Sequence, residues 1–320
     1  MPCMKGGMSF FSSRWAQIGV SCGLLAILLW SIDPYQFSRQ LLTARAEWVL
    51  VAFVGYLAGQ VLSAYKWQLL AQPLGFQHPL RRFIVYYFAG MYLNLFSPGT
   101  LLGDMGRGLF LVKQRSDLGP ALHSVLADRV SGAVMLLWVG AAGFVLYGPT
   151  VLPACIYYAM LLLAACTGAA WWALPSLLTW HRFPLGRLRH WLTRLVMPYM
   201  RDGRLVLRVC ALSVLLHLLQ LGLQALLAYA LGLVIPFWYL LLIVPVITLL
   251  SFLPLSFSGL GIREGGYVVL LARLGVGKED ALAFSLLWTS IMLVAGMVGG
   301  IVLLVSPPTP AYRTEARLRG

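Results

Sequence analysis

Six ionisable residues lie inside apolar segments of this 320-residue chain: Asp104, Arg107, Asp128, Arg129, Arg263 and Glu264. An unpaired charge at the centre of a membrane helix costs roughly 2.5–3.5 kcal/mol, so the set costs ~15–20 kcal/mol unless its members pair. Three are positive and three negative, which permits complete pairing. Asp104 and Arg107 are three apart and share a helix face. Arg263 and Glu264 are adjacent and cannot face each other on one helix, so each needs a partner elsewhere, and the other broken apolar region is the natural place for it. Such a set has two possible uses. It can lock helices in register as a buried ion network. Alternatively, its Arg residues, placed beside glycine-flanked helix starts, can bind phosphate. First-turn amides carry partial positive charge, and a guanidinium offers phosphate a two-pronged fork. Asp128-Arg129 falls about two turns inside its helix, where it forms a cytoplasmic gate or lies near the lipid headgroups.

The segments that position these residues belong to a membrane. Hydrophobic residues make up 60% of the chain and charged residues 11%, which excludes an ordinary soluble domain. Crossing the ~30 Å hydrocarbon core takes about 20 apolar residues. Stretches 15–32, 47–71, 121–147, 151–174, 205–233 and 281–305 are long enough. The first could pass for a signal peptide, but no small-x-small cleavage site follows it, so a retained first helix is expected. The regions 82–112 and 236–274 are apolar but broken. Ser97-Pro98-Gly99 interrupts the first, with Gly103, Gly106 and Gly108 following; Pro254-Leu255-Ser256 interrupts the second, with Gly259, Gly261, Gly265 and Gly266 following. Each is expected to form two short helices joined by irregular backbone, which at membrane depth survives only when buried in protein or lining a watery cavity. Re-entrant hairpins satisfy that rule, and paired thin spans are the alternative. Cys3 lies near the N-terminus, the other four cysteines lie in apolar runs without metal-ligand spacing, and no cofactor or metal site is expected.

The formal net charge is +14. With re-entrant hairpins and a cytoplasmic N-terminus, 17 basic residues, Lys66 among them, fall inside and 4 outside, with Arg107, Arg129 and Arg263 in the membrane. That split fits the positive-inside rule and places both termini in the cytoplasm of a bacterial-type inner membrane, with no nucleic-acid partner. Between 175 and 208, Leu188, Trp191, Leu192, Leu195 and Tyr199 repeat at helical spacing among Arg and His, as in a helix lying in the inner headgroup layer or serving as a topology anchor.

The expected fold is all-α and polytopic: one integral membrane domain over 1–320. Its first repeat is 47–147 with hairpin 82–112, and its second is 205–305 with hairpin 236–274. Between them, 148–204 holds a linking helix and the basic amphipathic loop, and 306–320 is a cytoplasmic tail. The two repeats have the same order and opposite orientation, an arrangement common among secondary transporters.

Gly103-Asp104-x-x-Arg107, Asp128-Arg129-x-x-Gly132 and Pro254-x-Ser256-x-x-Gly259-Leu260-Gly261-x-Arg263-Glu264 together resemble the lysylphosphatidylglycerol synthase transmembrane, or flippase-like, family. This family includes the membrane half of the multiple peptide resistance factor and stand-alone proteins, and the resemblance covers roughly residues 40–305. It implies movement of a phospholipid or polyprenyl-linked lipid between leaflets. About 15 residues follow the last predicted helix, so lysyl transfer is not implied.

Rival chemistries are incomplete. Gly103-Asp104 lacks the first glycine and the second aspartate of an intramembrane aspartyl protease. Ser256-Phe257-Ser258-Gly259 lacks the first glycine of a rhomboid-type serine site, and no His follows residue 217. His123 and Asp128 have acyltransferase spacing but point about 140° apart on a helix. A transporter rather than an enzyme is therefore expected. Arg107, Arg263, Asp104, Glu264, Gly103, Gly259 and Gly261 are its candidate substrate-binding residues, and Asp128 and Arg129 form gating or structural ion pairs. A DedA-like lipid transporter and a non-transporting partner of a lipid-modifying enzyme are the alternatives, and an oligomer is possible.

Overall fold

A computed structural model describes residues 14–30, 32–96, 101–112, 114–148, 152–179, 193, 196–200, 202–252, 256 and 259–306. Ser97-Pro98-Gly99, Pro254-Leu255, most of the amphipathic stretch between 187 and 201, and the tail from 307 lie outside the described residues. All regular structure among the described residues is helical. α1 is Arg14–Trp30 and α2 is Pro34–Leu42; α3 (Ala46–Ala71) precedes a helix pair, α4 (Leu80–Asn94) and α5 (Leu101–Leu111); α6 (Leu118–Tyr147) and α7 (Ala154–Thr179) follow. The second half contains α8 (Gly203–Ala230), the pair α9 (Phe237–Ser251) and α10 (Ile262–Leu271), and α11 (Lys278–Val305).

Among the described residues, five helical stretches are long and apolar enough to cross a membrane: Ala46–Leu74, Leu118–Tyr147, Ala154–Ala173, Gly203–Ala230 and Lys278–Val305. The chain is thus a multi-pass membrane protein, and many large apolar side chains on its outer faces, such as Trp172, Leu304 and Val305, meet lipid instead of water. The sequence anticipated a sixth span at 15–32. There α1 is 17 residues long, at the lower limit for crossing. The chain then turns at Asp33-Pro34 into α2, whose first amides are capped by the Asp33 carboxylate (2.9 Å to the Tyr35 N–H).

Both broken regions become two short helices, as their Pro and Gly content requires. Within the first pair, α4 and α5 approach closely: a methyl group on Gly103 would collide with the Gly90 carbonyl and with Asn94. The Asn94 side chain accepts from the Gly103 N–H at 2.8 Å and so satisfies an amide at the start of α5.

Helix contacts follow a reciprocal pattern. The opening helices α3 and α8 pack on each other, α11 packs on α4, and α6 packs on α9. The entry to each helix pair is also built alike. After α3, Gly75 (φ 98°) reverses the chain, Phe76 N–H returns to the Ala71 carbonyl, and Pro79 caps α4. After α8, Gly232 (φ 70°) reverses it, Leu233 N–H returns to the Ala228 carbonyl, and Pro236 caps α9. The glycine supplies the left-handed residue that such a helix stop needs, and four residues later the proline restarts the helix. Among the described residues three hydrophobic clusters fill the interior, one around Trp67, Phe83 and Leu111, the largest around Leu240, Ile243, Tyr267 and Phe284, and a small one at Leu69, Leu70, Tyr199 and Val209.

Candidate functional site: a cationic cavity between the helix pairs

A cavity of about 450 Å³ is lined from α3, α4, α5, α6, α8, α9, α10 and α11, so both helix pairs contribute to it. One side of it is a chain of alternating charges. Lys66 Nζ on α3 lies 3.0 Å from Asp128 Oδ1 on α6. The other oxygen of Asp128 takes Arg107 on α5 at 2.9 Å. Arg107 continues to Asp104, one turn earlier, at 3.2 Å. Arg129 closes the series with a forked contact to Asp104, Nε to Oδ2 at 2.9 Å and an outer nitrogen to Oδ1 at 2.8 Å. The order is Lys66, Asp128, Arg107, Asp104, Arg129, which leaves one positive charge in excess.

Burial explains the stringency of this pairing. The Arg107 side chain is 3% exposed and that of Asp128 is 5%, so neither charge has water to fall back on. Arg107 also lies over the rings of Trp67 and Tyr87 at 5.1 and 5.0 Å, where the electron-rich ring faces attract the cation. Trp67 is itself fixed by its indole N–H, which donates to Ser124 Oγ at 3.1 Å. At the other end Arg129 is 37% exposed and opens toward the cavity.

Arg263, on α10, has a different setting. Among the described residues its hydrogen-bond contact runs 3.8 Å to Met292 Sδ, and no carboxylate forms an ion pair with it. Glu264 does not turn to the first helix pair, contrary to the expectation from sequence. It is fully buried in its own half. One oxygen accepts from the Gly261 N–H at 2.6 Å and the other from Thr289 Oγ1 at 2.8 Å. The reason is local: a glutamate at the third helical position reaches back to the amide before the helix. Neighbouring side chains diverge by about 100° around the axis, so this fold-back aims Arg263 away from Glu264. The start of α10 is thereby already capped by a carboxylate.

The structure brings Gly103, Asp104, Arg107, Asp128, Arg129 and Arg263 together around the cavity and places Gly259, Gly261 and Glu264 behind its wall. Gly259 and Gly261 both have positive φ (76° and 85°), and a side chain on Gly261 would run into Leu24 of α1. Their contribution is the backbone path that presents α10.

Residues 14–300 match the family described as the lysylphosphatidylglycerol synthase TM region. The chain belongs to that family. Membership of the lysylphosphatidylglycerol synthase TM family points to a lipid-related function in the membrane, in agreement with a charged cavity inside an apolar bundle. No curated protein matches the chain.

Several cavity residues of this family member escaped the sequence reading. Lys66 was counted among the cytoplasmic loop charges; it is instead 5% exposed inside the bundle. It also donates to Ser213 Oγ at 3.4 Å and to the Asp128 carbonyl at 3.3 Å. The charges inside the bundle therefore number four positive and three negative, and Lys66 drops out of the loop charges. On α8, Ser213, His217, Gln220 and Gln224 all line the cavity. Their spacing of four, three and four is that of one helix face, and a polar stripe on an otherwise apolar span was the available signal. His217 Nε2 donates to the Gly132 carbonyl at 2.9 Å, tying α8 to α6.

Proposed function

We propose that the chain is a lipid translocase that moves a phosphate-bearing lipid between the leaflets of a bacterial-type cytoplasmic membrane. The observation that carries this reading is the cavity itself: a space lined by both helix pairs, with four cations against two carboxylates on its wall. A polar headgroup passing through hydrocarbon needs such a lining, and its acyl chains can remain outside among the apolar helix faces. Phosphate suits the cations, because guanidinium forks match its oxygens. Arg263 and the open end of Arg129 contact it, and Asp104 and Asp128 orient the ladder.

The transport cycle uses two inverted repeats, α3 to α6 and α8 to α11, whose helix pairs enter the membrane as re-entrant hairpins from opposite sides. The reciprocal packing of α3 on α8, α11 on α4 and α6 on α9 supports this, as does the shared Gly-x-x-x-Pro entry at Gly75–Pro79 and Gly232–Pro236. Rocking of one repeat against the other exposes the cavity to each leaflet in turn. Both termini are cytoplasmic in this scheme, consistent with the basic residues around 182–208.

The test is reconstitution. Vesicles containing the purified chain should exchange headgroup-labelled phospholipids between leaflets faster than protein-free vesicles, with rates that depend on the headgroup. Rates equal to the protein-free control for every lipid tried would exclude translocation and leave a non-transporting partner of a lipid-modifying enzyme.

A further inference from the structure

Formal charge around the cavity is not balanced. Lys66, Arg107, Arg129 and Arg263 line it with only Asp104 and Asp128 opposite, an excess of two positive charges among the described residues. The two excess charges are separate. One belongs to the ladder and is presented by Arg129 at its open end; the other is Arg263, which among the described residues has no carboxylate partner and whose hydrogen-bond contact is the sulfur of Met292. Beside Arg263 stands a second unspent donor. Tyr267, one turn along α10, donates its hydroxyl to Gln224 Oε1 at 2.7 Å, which fixes the amide. The Nε2 of that same Gln224 is completely buried and has no acceptor among the described residues. A buried amide donor without a partner is costly and rare in a finished core. Here it lies on the cavity wall together with Arg263.

We infer that the cavity selects lipids ending in a phosphate monoester over phosphodiester and zwitterionic lipids. This rests on the translocase reading for its transport consequence only; the binding preference stands by itself. A terminal phosphate carries a charge of about −2 at neutral pH and three exposed acceptor oxygens. It neutralises the whole excess and gives acceptors to Arg263, Gln224 Nε2 and Arg129. A phosphodiester brings one charge and two free oxygens, and a zwitterionic headgroup adds its own cation to a wall that is already positive. The shared chemistry fits two sources, a phosphatidic acid and a polyprenyl monophosphate.

The experiment is competitive lipid binding to the full chain in detergent, read by native mass spectrometry. Phosphatidic acid, a polyprenyl monophosphate, phosphatidylglycerol and phosphatidylethanolamine are supplied at equal concentration. Wild-type protein is expected to retain at least one phosphate monoester about ten- to a hundredfold over phosphatidylglycerol, as loss of one or two charge-assisted hydrogen bonds implies. Whichever monoester is retained identifies the source. Arg263→Gln should erase most of that preference, and Arg263→Lys, which keeps the charge, should preserve part of it. Should Arg263→Gln yield no folded protein, Gln224→Leu tests the same subsite and should also lower the preference. Equal retention of phosphatidylglycerol and both monoesters by the wild type overturns the inference, as does an undiminished preference in the folded variants. Headgroup-selective binding without leaflet exchange would instead sink the translocase reading and leave this inference intact.

Discussion

The two helix pairs each carry an arginine and an acid at or near the cavity but treat them in opposite ways. In the first pair Arg107 is held by two carboxylates and two aromatic faces, and its neighbours Lys66 and Arg129 are bound into the same ladder. In the second pair the acid is withdrawn: Glu264 caps its own helix and binds Thr289, leaving Arg263 against a sulfur. The first arrangement is a frame whose charges compensate one another. The second is a cation held in readiness. A buried ion pair is costly to break and contributes little as a pair, so the ladder's residues should control folding and Arg263 should control ligand handling.

The comparison can be broken most forcefully at Asp128. Asp128→Asn leaves Lys66 and Arg107 as neighbouring buried cations without their shared carboxylate, and should cost about 3–5 kcal/mol of stability. Thermal unfolding in detergent reads this as a large drop in midpoint or as loss of folded protein. Adding Lys66→Met should recover part of that loss, by about 0.5–3 kcal/mol of coupling. Strictly additive effects would mean that the two side chains are not coupled as the 3.0 Å contact implies.

A smaller loss is expected at the joint of the first pair. Gly103→Ala forces a methyl onto the Gly90 carbonyl, and overpacking of this kind costs about 1–3 kcal/mol. Thr289→Val removes the hydroxyl that serves Glu264 and should cost about 1–2 kcal/mol, measurable by the same unfolding transition. The smallest stability effect belongs to Arg263→Gln, expected within about 0.5 kcal/mol of wild type because no ion pair is broken. If Arg263→Gln destabilises as much as Asp128→Asn, the two pairs do not differ in the manner described.

Much of this arrangement was legible in the sequence because membranes make polar residues conspicuous. Pro98 and Pro254 with their following glycines marked both helix breaks, and five of the six charges in apolar runs marked the cavity wall. The Asp104–Arg107 pair followed from a spacing of three. Lys66 was misplaced for a physical reason: it lies near the end of α3, where sequence alone cannot separate a charge at the headgroups from one turned inward onto Asp128 and Ser213. The fold-back of Glu264 was also hidden, since a glutamate three residues after Gly261 can cap its helix or salt-bridge across the bundle. Burial decides between these, and burial is a tertiary property. The α8 stripe of Ser213, His217, Gln220 and Gln224 was in plain view, and its helical spacing would have extended the site without any coordinates.

The most direct test of the central claim is leaflet exchange of a phosphate-bearing lipid in vesicles carrying equal amounts of folded wild-type or Arg263→Gln protein. The account predicts accelerated exchange with wild type and a rate close to the protein-free control with Arg263→Gln, at an unchanged unfolding midpoint. Exchange by folded Arg263→Gln at the wild-type rate would contradict it.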